Sequence, residues 1–115
     1  MSRDAWDGLT DVPRETQELL TSYVDLLLVE NERQNLIARS TADQVWSRHI
    51  EDSLQLVTHL DGEENKSVLD LGSGPGLPGL VLAIAKPLWK LHLVESRRKR
   101  CEFLSDVVQR LGLEN

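Results

Sequence analysis

Cysteine and long apolar segments are scarce in this 115-residue sequence, and its 13 basic residues are outnumbered by 19 acidic ones. The single cysteine, Cys101, forms no internal disulfide and offers no metal framework, so we expect a cytoplasmic protein without a bound metal. The longest apolar runs, Leu26–Val29 and Leu80–Ala85, are too short to span a bilayer. The residues after Met1 are polar, and we expect no signal peptide. The net charge of -6 disfavours non-specific nucleic-acid binding, which would need a local cluster of cations.

The first helix is predicted from apolar spacing. Apolar residues within Leu20–Leu28 recur three and four positions apart, which indicates one buried helical face. Pro13 suits the first turn of this helix, Thr10 or Asp11 can cap it, and the pattern ends near Asn31.

A second helix is predicted from a capping box, in which Thr41 and Gln44 are spaced three apart. The apolar pattern that follows predicts a helix running to about His59. Residues 1–60 are therefore interpreted as an N-terminal helical extension.

In residues 61–115 the apolar pattern no longer indicates helices alone, and short strands alternate with helices. The predicted elements are a strand Ser67–Leu71, a helix Leu77–Ala85, a strand Lys90–Glu95, and a helix from Ser96 to Leu111 that Gly112 ends. This order is typical of one parallel βαβ unit followed by a helix, so the fold class is α/β. Because two strands make a poor parallel sheet, we interpret the unit as the front part of a larger doubly wound fold.

The segment "VLDLGSGPGLPGL" places a glycine-rich turn directly after the first strand. Gly74–Gly79 spells the dinucleotide pattern G-x-G-x-x-G, but counted from the strand the pattern is Asp-x-Gly-x-Gly-x-Gly, Asp70–Gly76. The charge of Asp70 opposes a pyrophosphate, and Pro75 and Pro78 lack the N–H donors that a phosphate cradle uses. A structural turn without a ligand remains the alternative.

Glu95 ends the second strand, about 20 residues after the loop, where an acid that binds ribose hydroxyls is expected. A carboxylate can accept hydrogen bonds from both ribose hydroxyls. S-adenosylmethionine carries a cationic sulfonium, an ammonium and a ribose. It therefore suits a loop flanked by Asp70 and Glu95 better than a dinucleotide does.

These residues resemble the bacterial ribosomal RNA small subunit methyltransferase G family, also called glucose-inhibited division protein B. The resemblance rests on "VLDLGSGPGLPGLVLAIAKP" (Val68–Pro87) and "LHLVESRRKRCEFLSDVVQRLGLEN" (Leu91–Asn115). "QNLIA" (Gln34–Ala38) and "RHIEDSL" (Arg48–Leu54) resemble the family's two N-terminal signature stretches. The resemblance covers roughly Thr16–Asn115.

The resemblance implies a Rossmann-like fold that binds S-adenosylmethionine and methylates N7 of a guanine in small-subunit ribosomal RNA. By position it implies these cofactor-binding residues: Gly72, Ser73, Gly74, Gly76, Leu77, Glu95 and Ser96. His49 and Asp52, together with Asp70, are expected near the cofactor. The expected partners are ribosomal RNA and the small ribosomal subunit, and we expect a monomer without a membrane attachment.

The sequence departs from the family at three points. Glu95 stands where aspartate is usual, and "VENERQNL" lacks the usual aromatic and lysine-rich character. Family members are also about twice as long, so residues 61–115 correspond to the first part of the cofactor domain. The alternatives are a fragment of a nicotinamide-dependent oxidoreductase and a non-catalytic remnant of the methyltransferase.

The run Arg97-Arg98-Lys99-Arg100 is the one dense cluster of cations, and it is a candidate contact for RNA phosphates. The alternative is a solvated first turn of a helix, although cations are mildly unfavourable there. We name no catalytic acid or base, because guanine N7 has a free lone pair and carries no proton. Alignment of the reactants can then supply the rate enhancement.

Overall fold

The computed structural model describes residues 12–60 and 65–115, and it combines helices with one parallel two-stranded sheet. The elements in chain order are α1 (Arg14–Asn31), α2 (Arg39–Ala42), a π-helical turn (Trp46–Ile50) continuous with α3 (Glu51–Leu60), β1 (Ser67–Leu71), α4 (Gly79–Ala85), β2 (Lys90–Val94) and α5 (Arg98–Leu111). The α/β class predicted from the sequence is confirmed at this level.

The structure confirms helix α1, which the apolar spacing predicts. It buries one face made of Leu20, Tyr23, Val24 and Leu27, and it ends at Asn31. The predicted caps Thr10 and Asp11 lie outside the described residues. Pro13 occupies the N-cap position itself, and among the described residues no side chain caps this end of the helix.

The predicted capping box at Thr41 is wrong. The amide of Gln44 donates to the Thr41 backbone carbonyl at 3.0 Å, and the Thr41 hydroxyl donates back to the Ala38 carbonyl at 2.9 Å. Thr41 therefore lies inside the short helix α2, and the long helical segment begins five residues later, at Trp46. A hydroxyl bonded to a carbonyl three residues back is the local alternative that Ser and Thr offer the backbone.

The βαβ unit is confirmed. Strands β1 and β2 are parallel, with pairs from Ser67↔Lys90 to Leu71↔Val94, and α4 connects them. Three predicted boundaries shift by one or two residues. Strand β2 stops at Val94, so Glu95 follows it, and the two helices begin at Gly79 and Arg98 instead of Leu77 and Ser96.

One hydrophobic cluster joins both halves of the described chain. It contains the buried face of α1 together with Leu36, Ile37 and Ile50, and with residues of α4 and α5 such as Val81 and Val107. A second, smaller cluster surrounds Trp89. The helices before residue 60 thus pack on the same core as the sheet.

The two faces of the sheet differ in burial. Leu91 and Leu93 pack towards the helices, whereas Leu69, Leu71 and Val94 on the opposite face are 59%, 72% and 48% exposed. Parallel sheets are usually covered on both faces. One face of this sheet is therefore uncovered in the described part of the chain.

The residues after α5 form hydrogen bonds with the βαβ unit. Gly112 takes the left-handed conformation that ends α5, as its position in the sequence predicts. The Asn115 carbonyl accepts a hydrogen bond from the Leu91 amide at 2.9 Å. The Asn115 side-chain amide donates to the carbonyls of Ala83 and Lys86 at the end of α4 and to that of Trp89 in the turn before β2.

Asn31 reverses the chain after α1. Its side-chain oxygen accepts hydrogen bonds from the amides of Leu36 and Ile37, at 2.8 and 3.0 Å. Leu36 and Ile37 are only 8% and 7% exposed, so these amides depend on Asn31 for a partner.

Replacing Asn31 with alanine is expected to lower the free energy of unfolding by about 1–3 kcal/mol, because two buried donors lose their acceptor. The measurement is urea unfolding followed by circular dichroism. Asn31→Asp is the matched control, since it keeps the acceptor and should recover most of the stability. Equal losses in the two variants would contradict this role for the side-chain oxygen.

Candidate functional site

The glycine loop follows β1 at the carboxyl edge of the sheet and is closed by backbone hydrogen bonds. The amides of Gly72 and Ser73 donate to the Val94 carbonyl at 2.8 and 3.1 Å. The Gly76 amide donates to the Ser73 carbonyl at 2.8 Å. The loop therefore bends over the end of β2, where ligands bind in open α/β sheets.

Glu95 lies against this loop, at the position where the sequence predicts the ribose-binding acid. One carboxylate oxygen accepts the Gly74 amide and the other accepts the Arg97 amide, each at 2.8 Å. The Cys101 thiol donates to the Glu95 backbone carbonyl at 3.0 Å. Each carboxylate oxygen can accept a further hydrogen bond, so the side chain keeps acceptor capacity for hydroxyls.

The amides of the loop donate inward. Gly72, Ser73, Gly74 and Gly76 each donate to an acceptor within the protein, and Pro75 has no N–H. A phosphate cradle requires several backbone N–H groups that point at the ligand. Residues 72–76 are thus arranged unlike a pyrophosphate-binding loop.

Packing explains two of the glycines. A Cβ on Gly76 would overlap the Leu80 side chain, and a Cβ on Gly79 would lie 2.6 Å from an Asp70 carboxylate oxygen. Gly72 has a positive φ of +72°, as Gly76 does at +95°, but it differs in that no atom lies within 4 Å of its Cβ position. Bare backbone next to open space is compatible with a ligand at Gly72.

Asp70 points under the loop, towards α4. Its carboxylate accepts the Gly79 amide at 3.1 Å, and the Ser73 hydroxyl donates to its backbone carbonyl at 3.0 Å. Burial raises the pKa of Asp70, and the hydrogen bond from Gly79 opposes the rise. The hydrogen bonds from Arg97 and Gly74 instead lower the pKa of Glu95.

Tyr23 contacts the loop, a contact that the sequence did not predict. Its hydroxyl donates to the Pro75 carbonyl at 2.6 Å, and the side chain is fully buried. Burial, and then the nearby charge of Asp70, raise the pKa of Tyr23. The periodicity of α1 places this residue in the core, but it carries no signal for a partner 52 residues away.

Four other predicted site residues are not joined to the loop by a hydrogen bond in the described part of the chain. Leu77 is half-buried against the main core, and Ser96 is exposed. The His49 ring lies 3.1 Å from the Thr41 hydroxyl, and Asp52 is exposed.

The basic run divides into two parts. Arg97, Arg98 and Lys99 are exposed, and Arg98 pairs with Glu102 at 3.2 Å. Arg100 is half-buried and turns back, donating to the Asn35 carbonyl at 3.4 Å. Its charge also lowers the pKa of Glu95.

The described ranges 12–60 and 65–115 contain neither a candidate metal site nor a helix that could span a membrane. They contain no group of three or more His, Cys, Asp and Glu side chains arranged to hold a metal ion. None of their helices combines the length and apolar character needed to cross a membrane.

Comparison with known proteins identifies one family. The family model for rRNA small subunit methyltransferase G matches residues 16–115. The ribosomal RNA small subunit methyltransferase G of Sphingopyxis alaskensis is 54% identical over 94 residues, which cover 81% of this chain and 40% of that protein. The proteins of the same name from Erythrobacter litoralis and Hyphomonas neptunium are 51% and 40% identical, over 85% and 96% of this chain and 47% and 53% of their own. The chain spans about half the length of the curated relatives it matches.

Carboxyl-carbon NMR should report a pKa for Glu95 below the ordinary glutamate value and one for Asp70 above the ordinary aspartate value. The Gly74 amide shift should titrate with Glu95, because the two are hydrogen-bonded. In Glu95→Gln this titration should vanish. A Glu95 pKa at or above the ordinary value would contradict the geometry.

The two shifts affect stability with opposite signs. Because the pKa of Glu95 is lowered by folding, its contribution is present above the unfolded pKa and is lost as pH falls through the folded pKa. The pKa of Asp70 is raised, so its ionisation reduces stability as pH rises from the unfolded pKa through the folded one. Urea unfolding of Glu95→Gln and Asp70→Asn across this acidic range should separate the two contributions.

Proposed function

The chain belongs to the rRNA small subunit methyltransferase G family, and we propose that it forms the first part of an S-adenosylmethionine-dependent enzyme that methylates N7 of a guanine in small-subunit ribosomal RNA. The proposal includes a Rossmann-like fold, in which residues 61–115 begin the cofactor domain and residues 1–60 form a helical extension. We also propose that the protein is cytoplasmic and monomeric. The activity is proposed for the whole protein, since the chain covers about half of its relatives.

The observation that carries the proposal is the contact between Glu95 and the glycine loop. The carboxylate stands beside Gly74 with acceptor capacity left for ribose hydroxyls. The loop amides are already donated inward, which favours a cationic ligand over a pyrophosphate. Asp70 adds a second carboxylate beneath the loop. These acceptor groups fit the cationic and hydroxyl groups of S-adenosylmethionine, with Gly72, Ser73, Gly74 and Gly76 as the proposed backbone contacts.

S-adenosylmethionine supplies an electrophilic methyl group. The lone pair of guanine N7 is free, so no side chain has to remove a proton. The chain's residues are then required to hold the cofactor rigidly and to align it with the base, and alignment of this kind is worth roughly 7–11 kcal/mol. In this scheme Glu95 binds and orients the ribose, while the closed loop fixes the surface on which the rest of the cofactor lies.

The exposed cations at the start of α5 are the proposed RNA contact. Arg97, Arg98 and Lys99 stand at the same edge of the sheet as the loop, because α5 begins just after β2. Arg98 is partly neutralised by Glu102, so Arg97 and Lys99 are the freer charges for phosphates. Arg100 is turned towards the protein and is proposed to support the site from within.

Calorimetric titration of the chain with S-adenosylmethionine tests the cofactor assignment. Glu95→Gln is expected to weaken binding about tenfold, because the neutral amide keeps one acceptor oxygen and forms weaker hydrogen bonds with ribose hydroxyls than the carboxylate does. Glu114→Gln changes an exposed carboxylate near the chain end and should bind like the unchanged chain. Binding of NAD without binding of S-adenosylmethionine would favour the oxidoreductase alternative and overturn the proposal.

Salt-dependent binding to small-subunit ribosomal RNA tests the basic surface. The double variant Arg97→Gln/Lys99→Gln should reduce the slope of log affinity against log salt by about 1.4, because each phosphate contact on single-stranded RNA contributes about 0.7. Lys90→Gln/Arg110→Gln removes the same charge from the amino end of β2 and the far end of α5. Equal slopes in both variants would contradict the assignment.

A further inference from the structure

Tyr23 connects the N-terminal helix to the centre of the glycine loop. It is the only tyrosine in the sequence, and its hydroxyl donates to the Pro75 carbonyl at 2.6 Å. Pro75 lies between Gly74 and Gly76, whose φ values are +53° and +95°. Because neither glycine has a side chain to restrain its backbone, the peptide groups around Pro75 need other contacts to fix them.

Two side chains from different parts of the chain supply such contacts. Glu95, after β2, accepts the Gly74 amide at 2.8 Å, and Tyr23, from α1, donates to the Pro75 carbonyl. These groups belong to consecutive residues of the loop. Together they fix both the donor side and the acceptor side of the loop's central turn.

The hydroxyl of Tyr23 serves as a hydrogen-bond donor and is not required for packing. The ring packs in the main core with Leu20 and Val24, where an apolar ring would pack equally well. A buried hydroxyl without an acceptor is costly, so its retention depends on the Pro75 carbonyl. The carbonyl in turn depends on Tyr23, and burial keeps the phenol protonated and therefore a donor.

We propose that Tyr23 is a positioning residue for the cofactor loop, and that the N-terminal helix thereby forms part of the cofactor site. The inference rests on the proposed function, in which Gly72–Gly76 binds S-adenosylmethionine. Two further contacts support it, because the segment that follows α1 also contacts α5. The Gln34 side chain donates to the Lys99 carbonyl at 3.1 Å, and Arg100 donates to Asn35.

The test compares Tyr23→Phe with Val24→Ala in the 115-residue chain. Both residues are fully buried on α1, but Val24 donates no side-chain hydrogen bond to the loop. Circular dichroism and urea unfolding establish that each variant folds. Amide hydrogen exchange is then followed at Gly74 and Gly76, with core amides such as Val107 as the internal reference.

Tyr23→Phe should speed exchange at the loop amides roughly fivefold relative to the core, the factor expected for one lost hydrogen bond of about 1 kcal/mol. Val24→Ala should speed loop and core amides together, because it lowers global stability alone. Unchanged loop exchange in Tyr23→Phe, or the same pattern in both variants, would overturn the inference.

Affinity for S-adenosylmethionine provides the second readout. Tyr23→Phe should bind about three- to tenfold more weakly than Val24→Ala at equal folded fraction, within the range that a single hydrogen bond contributes. Equal affinities would overturn the role in cofactor binding. If the unchanged chain does not bind S-adenosylmethionine, the cofactor assignment for residues 72–76 of this chain fails, and hydrogen exchange alone decides whether Tyr23 positions the loop.

Discussion

The hydrogen bonding of the glycine loop is the constraint on which the rest of the structure depends. Glycines allow the tight path from β1 to α4, but they leave the backbone without steric restraint. The restraint comes from partners elsewhere in the chain, since Val94 and Glu95 accept loop amides and Tyr23 donates to a loop carbonyl. Three separate elements, α1, β1 and β2, must therefore be assembled before the loop has its shape.

The two carboxylates beside the loop have different tasks because their surroundings differ. Asp70 is partly buried and is directed at the first amide of α4, where it completes the start of that helix. Glu95 is more open and is held by two backbone amides, which keep it ionised and fixed in direction. Their opposite pKa shifts follow from these surroundings, since burial dominates at Asp70 and hydrogen bonding dominates at Glu95.

Local patterns in the sequence predicted most of the fold. Strand β1, the end of α1, the end of α5 and the left-handed Gly112 all follow from apolar spacing and glycine placement. The predicted start of the second helix was wrong, because Thr41 lies inside the short helix α2 and the long helical segment begins only at Trp46. The position of Glu95 beside the loop could be predicted, because parallel strands bring their carboxyl ends to one edge. The contact of Tyr23 with Pro75 could not, because hydrogen bonds between distant residues leave no periodic signal in a single sequence.

The open face of the sheet has a consequence for the chain in solution. Leu69, Leu71 and Val94 form an apolar strip, and β1 has one neighbouring strand among the described residues. An unpaired strand edge beside exposed apolar side chains is a template for pairing with further polypeptide. The colloidal behaviour of the chain is then governed by concentration and by salting-out anions, which strengthen apolar association. The net charge of -6 provides the electrostatic repulsion that opposes it.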